Sequence, residues 1–319
     1  MSATPVVIVT GYLGSGKTTL IKRLLESPKL GDSVVIVNEF GEIGIDHAVI
    51  RQVDERTVLL ASGCLCCTLR GDLADELRDL IDRRAAGSIP WFSRVIVETS
   101  GLADPAPIIN TFLADPVVLN QYHLDHVIAT VDAQHGLRGP ESSAQVAAAD
   151  LIALTKIDLV DGAPMAASLR ELNPLAAVVP AAHGALDPSH VLQPPDRQRG
   201  MADTSSTNAA RHGAGDVLAV SIVLDEPLDW LGFSVWMTML LHARGTDLLR
   251  VKGLINVGEE GPLLINAVQH VVHPPTHLER WPSDDHRTKL VFIGREIDSS
   301  MLERSLRKFA EEREPQHSP

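Results

Sequence analysis

The sequence predicts an α/β protein in two parts: a mostly parallel sheet flanked by helices, followed by a small C-terminal α+β domain. Apolar runs rich in valine and isoleucine alternate with helical segments over residues 5–180. A glycine-rich loop joins the first run to the first helix, and a polar stretch at 193–215 separates the two parts. Because continuous β-branched runs are typical of strands covered on both faces, the first sheet is expected to be mostly parallel.

The elements of the first part alternate along the chain. The first strand, Val6 to Val9, leads through the glycine-rich loop into a helix from Lys17 to Glu26. A second helix is predicted at 70–85, where leucines recur at helical spacing between charged residues. Further strands are predicted at 34–37, 95–97, 127–129 and 151–154. In an open sheet of this kind, ligands bind at the carboxyl ends of the strands.

The second part has its own pattern of strands and helices. Strands are predicted at 217–224, 249–257, 263–272 and 290–293, and helices at 228–243 and 299–311. The run from Gly258 to Gly261 is expected to form a hairpin turn. We therefore assign 1–192 to a first domain, 193–215 to a flexible linker, 216–314 to a second domain and 315–319 to a tail.

Composition narrows the class of protein. The formal net charge of -13 disfavours nucleic acid and anionic membranes as partners, because like charges repel. No apolar run approaches the roughly 18 residues that span a bilayer, and no signal peptide is evident. We expect a cytoplasmic protein with reduced thiols.

A phosphate-binding loop is indicated by Gly11-x-x-x-x-Gly16-Lys17-Thr18, which follows a strand and opens a helix. Glycines at 11, 14 and 16 let backbone N–H groups point at phosphate oxygens, and Ser15 and Thr19 lie within the same segment. Lys17 is expected to reach the β- and γ-phosphates, and the Thr18 hydroxyl to bind Mg²⁺. The first domain is therefore predicted to be a P-loop NTPase.

The base is predicted to be guanine. Thr155-Lys156-Ile157-Asp158 closes a buried strand where GTPases carry an Asn/Thr-Lys-x-Asp element. Asp158 would accept two hydrogen bonds from guanine, and the Lys156 stem would lie over the base. Such paired polar contacts discriminate strongly, because the wrong base leaves a carboxylate unpaired. The turn at 182–184 is a further candidate for lining the base.

Two segments are candidates for sensing the γ-phosphate. Glu98 ends a buried strand, where it could hold the hydration shell of Mg²⁺ or orient water, and the N–H of Gly101 could reach the phosphate. The acidic, glycine-containing segment 38–46 occupies the place of a mobile switch. In it, Glu39 is a candidate for Mg²⁺ or water positioning, and Glu42 for a ligand of a second metal. Asp132 also ends a strand but receives no role.

All three cysteines of the chain lie within Cys64-Leu65-Cys66-Cys67. Thiolates bind soft or borderline metals, and three on one loop can converge on one ion. They leave a tetrahedral Zn²⁺ one ligand short, to be supplied by a carboxylate such as Glu42, a histidine, water or a client protein. A redox-sensing thiol pair is the alternative. The histidines His270, His273 and His277 are weaker candidates for metal or client contact.

Taken together, these motifs resemble those of the CobW-type metallochaperone GTPases, which are relatives of the GTPases that assist nickel insertion into urease and hydrogenase. The matching segments are 10–19, 38–42, 63–67, 98–105 and 155–158, with 250–253 and 290–294 in the second domain. The resemblance covers nearly the whole chain.

The resemblance implies GTP hydrolysis coupled to delivery of Zn²⁺, or of Co²⁺ or Fe²⁺, to a client metalloprotein. Lys17, Glu98 and Glu39 would carry catalysis, with GTP and Mg²⁺ bound at the phosphate loop. A homo-oligomer is possible. The alternatives that remain are a GTPase regulated by oxidation of the same cysteines and a GTP-dependent interaction module.

Overall fold

The computed structural model describes residues 3–38, 57–59, 69–193 and 217–311. The predicted tail at 315–319 and all of the predicted linker except Gln193 lie outside these residues. The chain divides into two compact units. The first comprises Met1–Arg170 and Ala176–Arg197, and the second comprises Glu171–Leu175 and Gln198–Pro319.

A seven-stranded sheet, in which every described pair of strands is parallel, forms the centre of the first unit. Its strands are β1 (Thr4–Gly11), β2 (Ser33–Asn38), β3 (Thr57–Leu59), β4 (Arg94–Thr99), β5 (Tyr122–Asp132), β6 (Leu151–Thr155) and β7 (Ala177–Ala181). Their order across the sheet is β3-β2-β4-β1-β5-β6-β7. The mostly parallel sheet predicted from the apolar runs and the P-loop NTPase fold predicted from the glycine-rich loop are both confirmed.

The helices of the first unit cover the sheet. They are α1 (Lys17–Leu25), α2 (Leu69–Ala85), α3 (Pro105–Ala114), α4 (Pro116–Gln121), α5 (Gly139–Ala148), α6 (Ala163–Leu172) and α7 (Ser189–Leu192). Successive residues of β1 from Val6 to Val9 are all fully buried, so both faces of this strand are covered. Among the described residues, no helix is long and apolar enough to cross a membrane.

Strand register brings the functional segments to one edge of the sheet. β1 lies between β4 and β5, with Val9 opposite Glu98 and Gly11 opposite Thr130. Between β5 and β6, Asp132 lies opposite Thr155. The carboxyl ends of four neighbouring strands therefore meet around the loop that follows Gly11.

The second unit is an antiparallel sheet with two helices packed on one face. Its strands are β8 (Val217–Leu224), β9 (Leu248–Ile255), β10 (Leu263–Val268), β11 (Val271–Val272), β12 (Thr276–His277) and β13 (Thr288–Arg295). The helices are α8 (Trp230–Arg244) and α9 (Ser299–Glu311). Trp236 and Leu306 from these helices share one buried cluster with Val251 and Phe292 of the sheet. The small α+β fold of this part is confirmed.

One predicted strand of the second unit is wrong. Residues 263–272 form two strands, β10 and β11, which pair with each other as a hairpin with Val268 opposite Val271. Gln269 turns the chain with a φ of 51°, a left-handed conformation that a continuous strand does not contain. The apolar run hid this turn because glutamine is not a typical turn residue.

Candidate nucleotide site

The phosphate loop begins where β1 ends at Gly11 and finishes where α1 begins at Lys17. Gly11 has a φ of 141° and Gly16, the N-cap of α1, has a φ of 98°, both of which favour glycine. The Ser15 N–H donates to the Tyr12 carbonyl at 3.1 Å and closes the curl of the loop. Backbone N–H groups at the start of a helix then form an anion-binding site.

The side chain of Lys17 binds the first two residues of this loop. Its Nζ donates to the carbonyl oxygens of Gly11 at 2.8 Å and Tyr12 at 3.3 Å, and the residue is buried. The ammonium group is therefore already held beside the N–H groups that would bind phosphate. Such a position suits a charge that contacts the outer phosphates.

Side chains from the neighbouring strands β5 and β6 bind the loop at Ser15. Ser15 Oγ and Thr130 Oγ1 are 2.6 Å apart, and the Thr155 hydroxyl donates to the Ser15 carbonyl at 2.7 Å. The sequence pointed to Thr155 as part of base recognition. In the structure its hydroxyl instead binds the phosphate loop and the Val131 carbonyl, at 3.1 Å. Thr155 thus connects the segment predicted to recognise the base with the phosphate loop.

Thr18 and Glu98 are brought together at the start of α1. The Thr18 hydroxyl donates to Glu98 Oε1 at 2.6 Å, and the Glu98 side chain is buried at the end of β4. A hydroxyl and a carboxylate beside a phosphate site are the hard oxygen donors that Mg²⁺ prefers. The pair fits a magnesium site, with Thr18 as ligand and Glu98 in the surrounding shell.

Gly101 is packed directly against the phosphate loop. A Cβ placed on it would lie 2.6 Å from Leu13 Cδ2 and 2.7 Å from Leu13 N. Contacts this short do not occur in folded proteins, so only glycine allows the segment after β4 to approach the loop so closely. The two predicted phosphate sensors of this segment, Glu98 and Gly101, therefore both contact residues of the loop or of the start of α1.

Lys156 is held by the carboxylate of Asp132, for which the sequence predicted no role. Lys156 has a left-handed φ of 57°, and its Nζ donates to Asp132 Oδ2 at 2.7 Å. His135 Nδ1 lies 2.7 Å from the same oxygen. Burial raises the pKa of Asp132, but hydrogen bonds from Lys156 and His135 outweigh it and lower the pKa to about 2. Asp132 is thus ionised at neutral pH and fixes Lys156.

Asp158 and Thr19 contact the turn at 182–184. The His183 N–H donates to Asp158 Oδ1 at 3.2 Å, and a Cβ on Gly184 would lie 3.0 Å from Thr19 Cγ2. The turn that the sequence suggested for the base site therefore lies beside Asp158. Gly14, whose φ is 71°, has open space where a Cβ would stand.

The residues predicted to bind a transferred metal are not among those that the structure describes. Glu39, Glu42, Cys64, Cys66 and Cys67 all fall outside the described residues. Within the described ranges, no group of three histidine, cysteine or acidic side chains could hold a metal ion. In the second unit, His270 Nδ1 lies 3.1 Å from the Leu241 carbonyl and His277 Nε2 lies 3.0 Å from the Gly261 carbonyl. His270, His273 and His277 do not form a metal cluster.

Two family models match the chain. "CobW/HypB/UreG, nucleotide-binding domain" matches residues 5–180, and "Cobalamin synthesis protein cobW C-terminal domain" matches residues 217–310. Both matches fall within the parts of the chain that carry the two sheets.

Similar proteins cover almost the whole chain. The zinc chaperone YjiA of Escherichia coli is 33% identical over 92% of this chain and 95% of its own length. The zinc chaperone CobW of Pseudomonas aeruginosa is 32% identical over 95% of this chain and 90% of its own. A crystal structure of Zn(II)-bound YjiA GTPase from E. coli matches with a TM-score of 0.71 and 28% identity, covering 97% of this chain and 99% of that one.

Proposed function

Because the chain belongs to the CobW/HypB/UreG family of P-loop GTPases, we propose that it is a GTP-driven metal chaperone that delivers Zn²⁺ to a client metalloprotein. One observation carries the proposal: a run of three cysteines in a chain that matches zinc chaperones over more than nine-tenths of its length. Three thiolates within four consecutive residues are suited to binding one borderline metal ion.

GTP is proposed to bind along the carboxyl edge of the first sheet. The N–H groups of the phosphate loop and Lys17 would hold the phosphates, and Asp158 would accept hydrogen bonds from guanine. The stem of Lys156, held by Asp132, would lie over the base. Thr155 supports this arrangement indirectly, because its hydroxyl fixes the loop at the Ser15 carbonyl.

Magnesium is proposed to bind at the Thr18 hydroxyl, with Glu98 holding water in its coordination shell. Bound there, Mg²⁺ would neutralise charge on the phosphates. The 2.6 Å contact between Thr18 and Glu98 favours this role of Glu98 over the alternative of orienting the attacking water. Glu39 is the remaining candidate for that second role.

Zn²⁺ is the proposed cargo, with Co²⁺ or Fe²⁺ as alternatives. Cys64, Cys66 and Cys67 would supply three ligands and Glu42 the fourth in one nucleotide state. The segment 38–46 would respond to the γ-phosphate and so add or remove that fourth ligand. A nucleotide can drive metal transfer only if the metal binds with different affinity in the two nucleotide states.

A cysteine variant tests the metal site. Protein purified without oxygen is expected to hold close to one Zn²⁺ per chain, and Cys66→Ala to lose most of it while still hydrolysing GTP. The reason is that removing one of three thiolates leaves too few ligands for a tetrahedral ion. Metal content by elemental analysis and phosphate release give the two readouts.

His277→Ala is the matched control, because it removes a possible ligand outside the cysteine run. It should keep its zinc. Full zinc content in Cys66→Ala would place the metal elsewhere, and a metal-free wild-type protein with oxidisable cysteines would favour the redox-regulated alternative.

A further inference from the structure

Gln145 is a buried amide that binds the segment between Glu98 and helix α3. It lies on α5 and is only 1% exposed. Its Nε2 donates to the carbonyl oxygens of Gly101 and Ala103, each at 3.1 Å. Both protons of one side-chain nitrogen are therefore used to fix two carbonyls of a single short turn.

Burying this amide destabilises the fold at one atom. Gln145 Oε1 is buried and has no hydrogen-bond partner among the described residues. A buried acceptor without a partner is unfavourable, and an apolar side chain of the same size would avoid it. The presence of an amide here therefore indicates a need for its two N–H donors.

The same turn leaves one backbone donor available. The Ala103 N–H donates to the Ser100 carbonyl at 3.1 Å, and the Leu102 N–H points to Ser100 Oγ at 3.4 Å. Within the described part of the chain, the N–H of Gly101 has no acceptor. Gly101 itself is buried and pressed against Leu13 of the phosphate loop. A donor in this place is suited to an anion bound in that loop.

We propose that Gln145 is a positioning residue for GTP: by holding the carbonyls of Gly101 and Ala103 toward α5, it fixes the Gly101 N–H for the γ-phosphate. The inference rests on the proposed nucleotide site and adds a residue that distinguishes GTP from GDP. Preorganised donors bind charge more strongly than mobile ones, because nothing has to be reordered on binding. GDP lacks the γ-phosphate and gains nothing from this donor.

Two substitutions of similar size test the proposal. Gln145→Met removes the donors with little change in shape, and Gln145→Glu replaces them with a carboxylate that cannot donate when ionised. We expect each to weaken the binding of a non-hydrolysable GTP analogue by roughly tenfold or more, as for a misplaced charge-assisted hydrogen bond. Affinity for GDP should stay within about twofold of the wild type, since GDP does not use the Gly101 donor. Both constants are measured by calorimetry with Mg²⁺ present.

Val146→Ala is the matched control, because it disturbs the packing of the same helix without removing either hydrogen bond. It should change both affinities together or neither. Equal losses for the GTP analogue and GDP in the Gln145 variants would show a merely structural role and overturn the inference. If one variant does not fold, the other still decides. Failure of the wild-type protein to bind either nucleotide would instead overturn the proposed function.

Discussion

Replacing Lys17 by alanine is expected to abolish nucleotide binding while leaving the fold intact. The ammonium group is held beside the carbonyls of Gly11 and Tyr12, where it would meet the β- and γ-phosphates. Because this group would donate charge-assisted hydrogen bonds to more than one phosphate, its loss should weaken the binding of GTP and GDP by roughly a hundredfold or more. Titration with fluorescent nucleotides measures the loss, and circular dichroism checks the fold.

Lys22→Ala serves as the matched control for Lys17→Ala. It removes the same charge from the same helix, one and a half turns beyond the phosphate loop, and should bind nucleotide like the wild-type protein. Tight GTP binding by a folded Lys17→Ala variant would overturn the assignment of the phosphate loop.

Gly11→Ala is expected to damage both stability and nucleotide binding. A Cβ at Gly11 would lie 2.3 Å from Thr130 Oγ1, 2.5 Å from the Thr130 carbonyl and 2.8 Å from Ser15 Oγ. The backbone there also has a φ of 141°, which alanine rarely adopts. Overpacking against backbone, added to this strain, should lower the free energy of unfolding by about 3 kcal/mol or more.

Gly14→Ala separates the two causes. Gly14 has a left-handed φ of 71° but open space where a Cβ would stand, so only backbone strain of about 1 kcal/mol is expected. Urea denaturation of the two variants gives the comparison. If both variants lost a similar free energy of unfolding, the close packing of Gly11 against Thr130 and Ser15 would not be what requires glycine there.

The local sequence could predict the parallel sheet and the phosphate loop, because both depend on residues close together in the chain. The β-branched runs mark strands whose neighbours cover them, and the loop depends on glycines and a lysine within eight positions. The same holds for Glu98, which ends a strand as predicted. Predicting these features required no knowledge of how the strands pair.

Asp132 and Gln145 could not be predicted in this way. Asp132 acquires its partner only because β5 lies beside β6, which brings Lys156 next to it across 24 residues of sequence. Gln145 is one of four polar residues in its helix, and nothing nearby in the sequence shows that its amide binds carbonyls 42 and 44 residues earlier. Strand order could have revealed Asp132, since acids at adjacent strand ends of a parallel sheet share one edge.

The break at Gln269 has a different cause. A run of apolar residues predicts burial and extension, but one left-handed residue is enough to turn the chain back on itself. Glutamine adopts that conformation here because the hairpin between Val268 and Val271 requires it. The pairing of β10 with β11 therefore determines the backbone conformation of Gln269 more strongly than its local sequence does.

The most direct test of a GTP-driven metal chaperone is the Zn²⁺ affinity of the full chain in two nucleotide states. Competition with a chromogenic chelator is measured under Mg²⁺, once with a non-hydrolysable GTP analogue and once with GDP. Coupling between the nucleotide and the cysteines predicts that the two dissociation constants differ by roughly tenfold, within the range of ordinary allosteric coupling. Identical constants would contradict the coupling, because the nucleotide could then neither load nor release the metal.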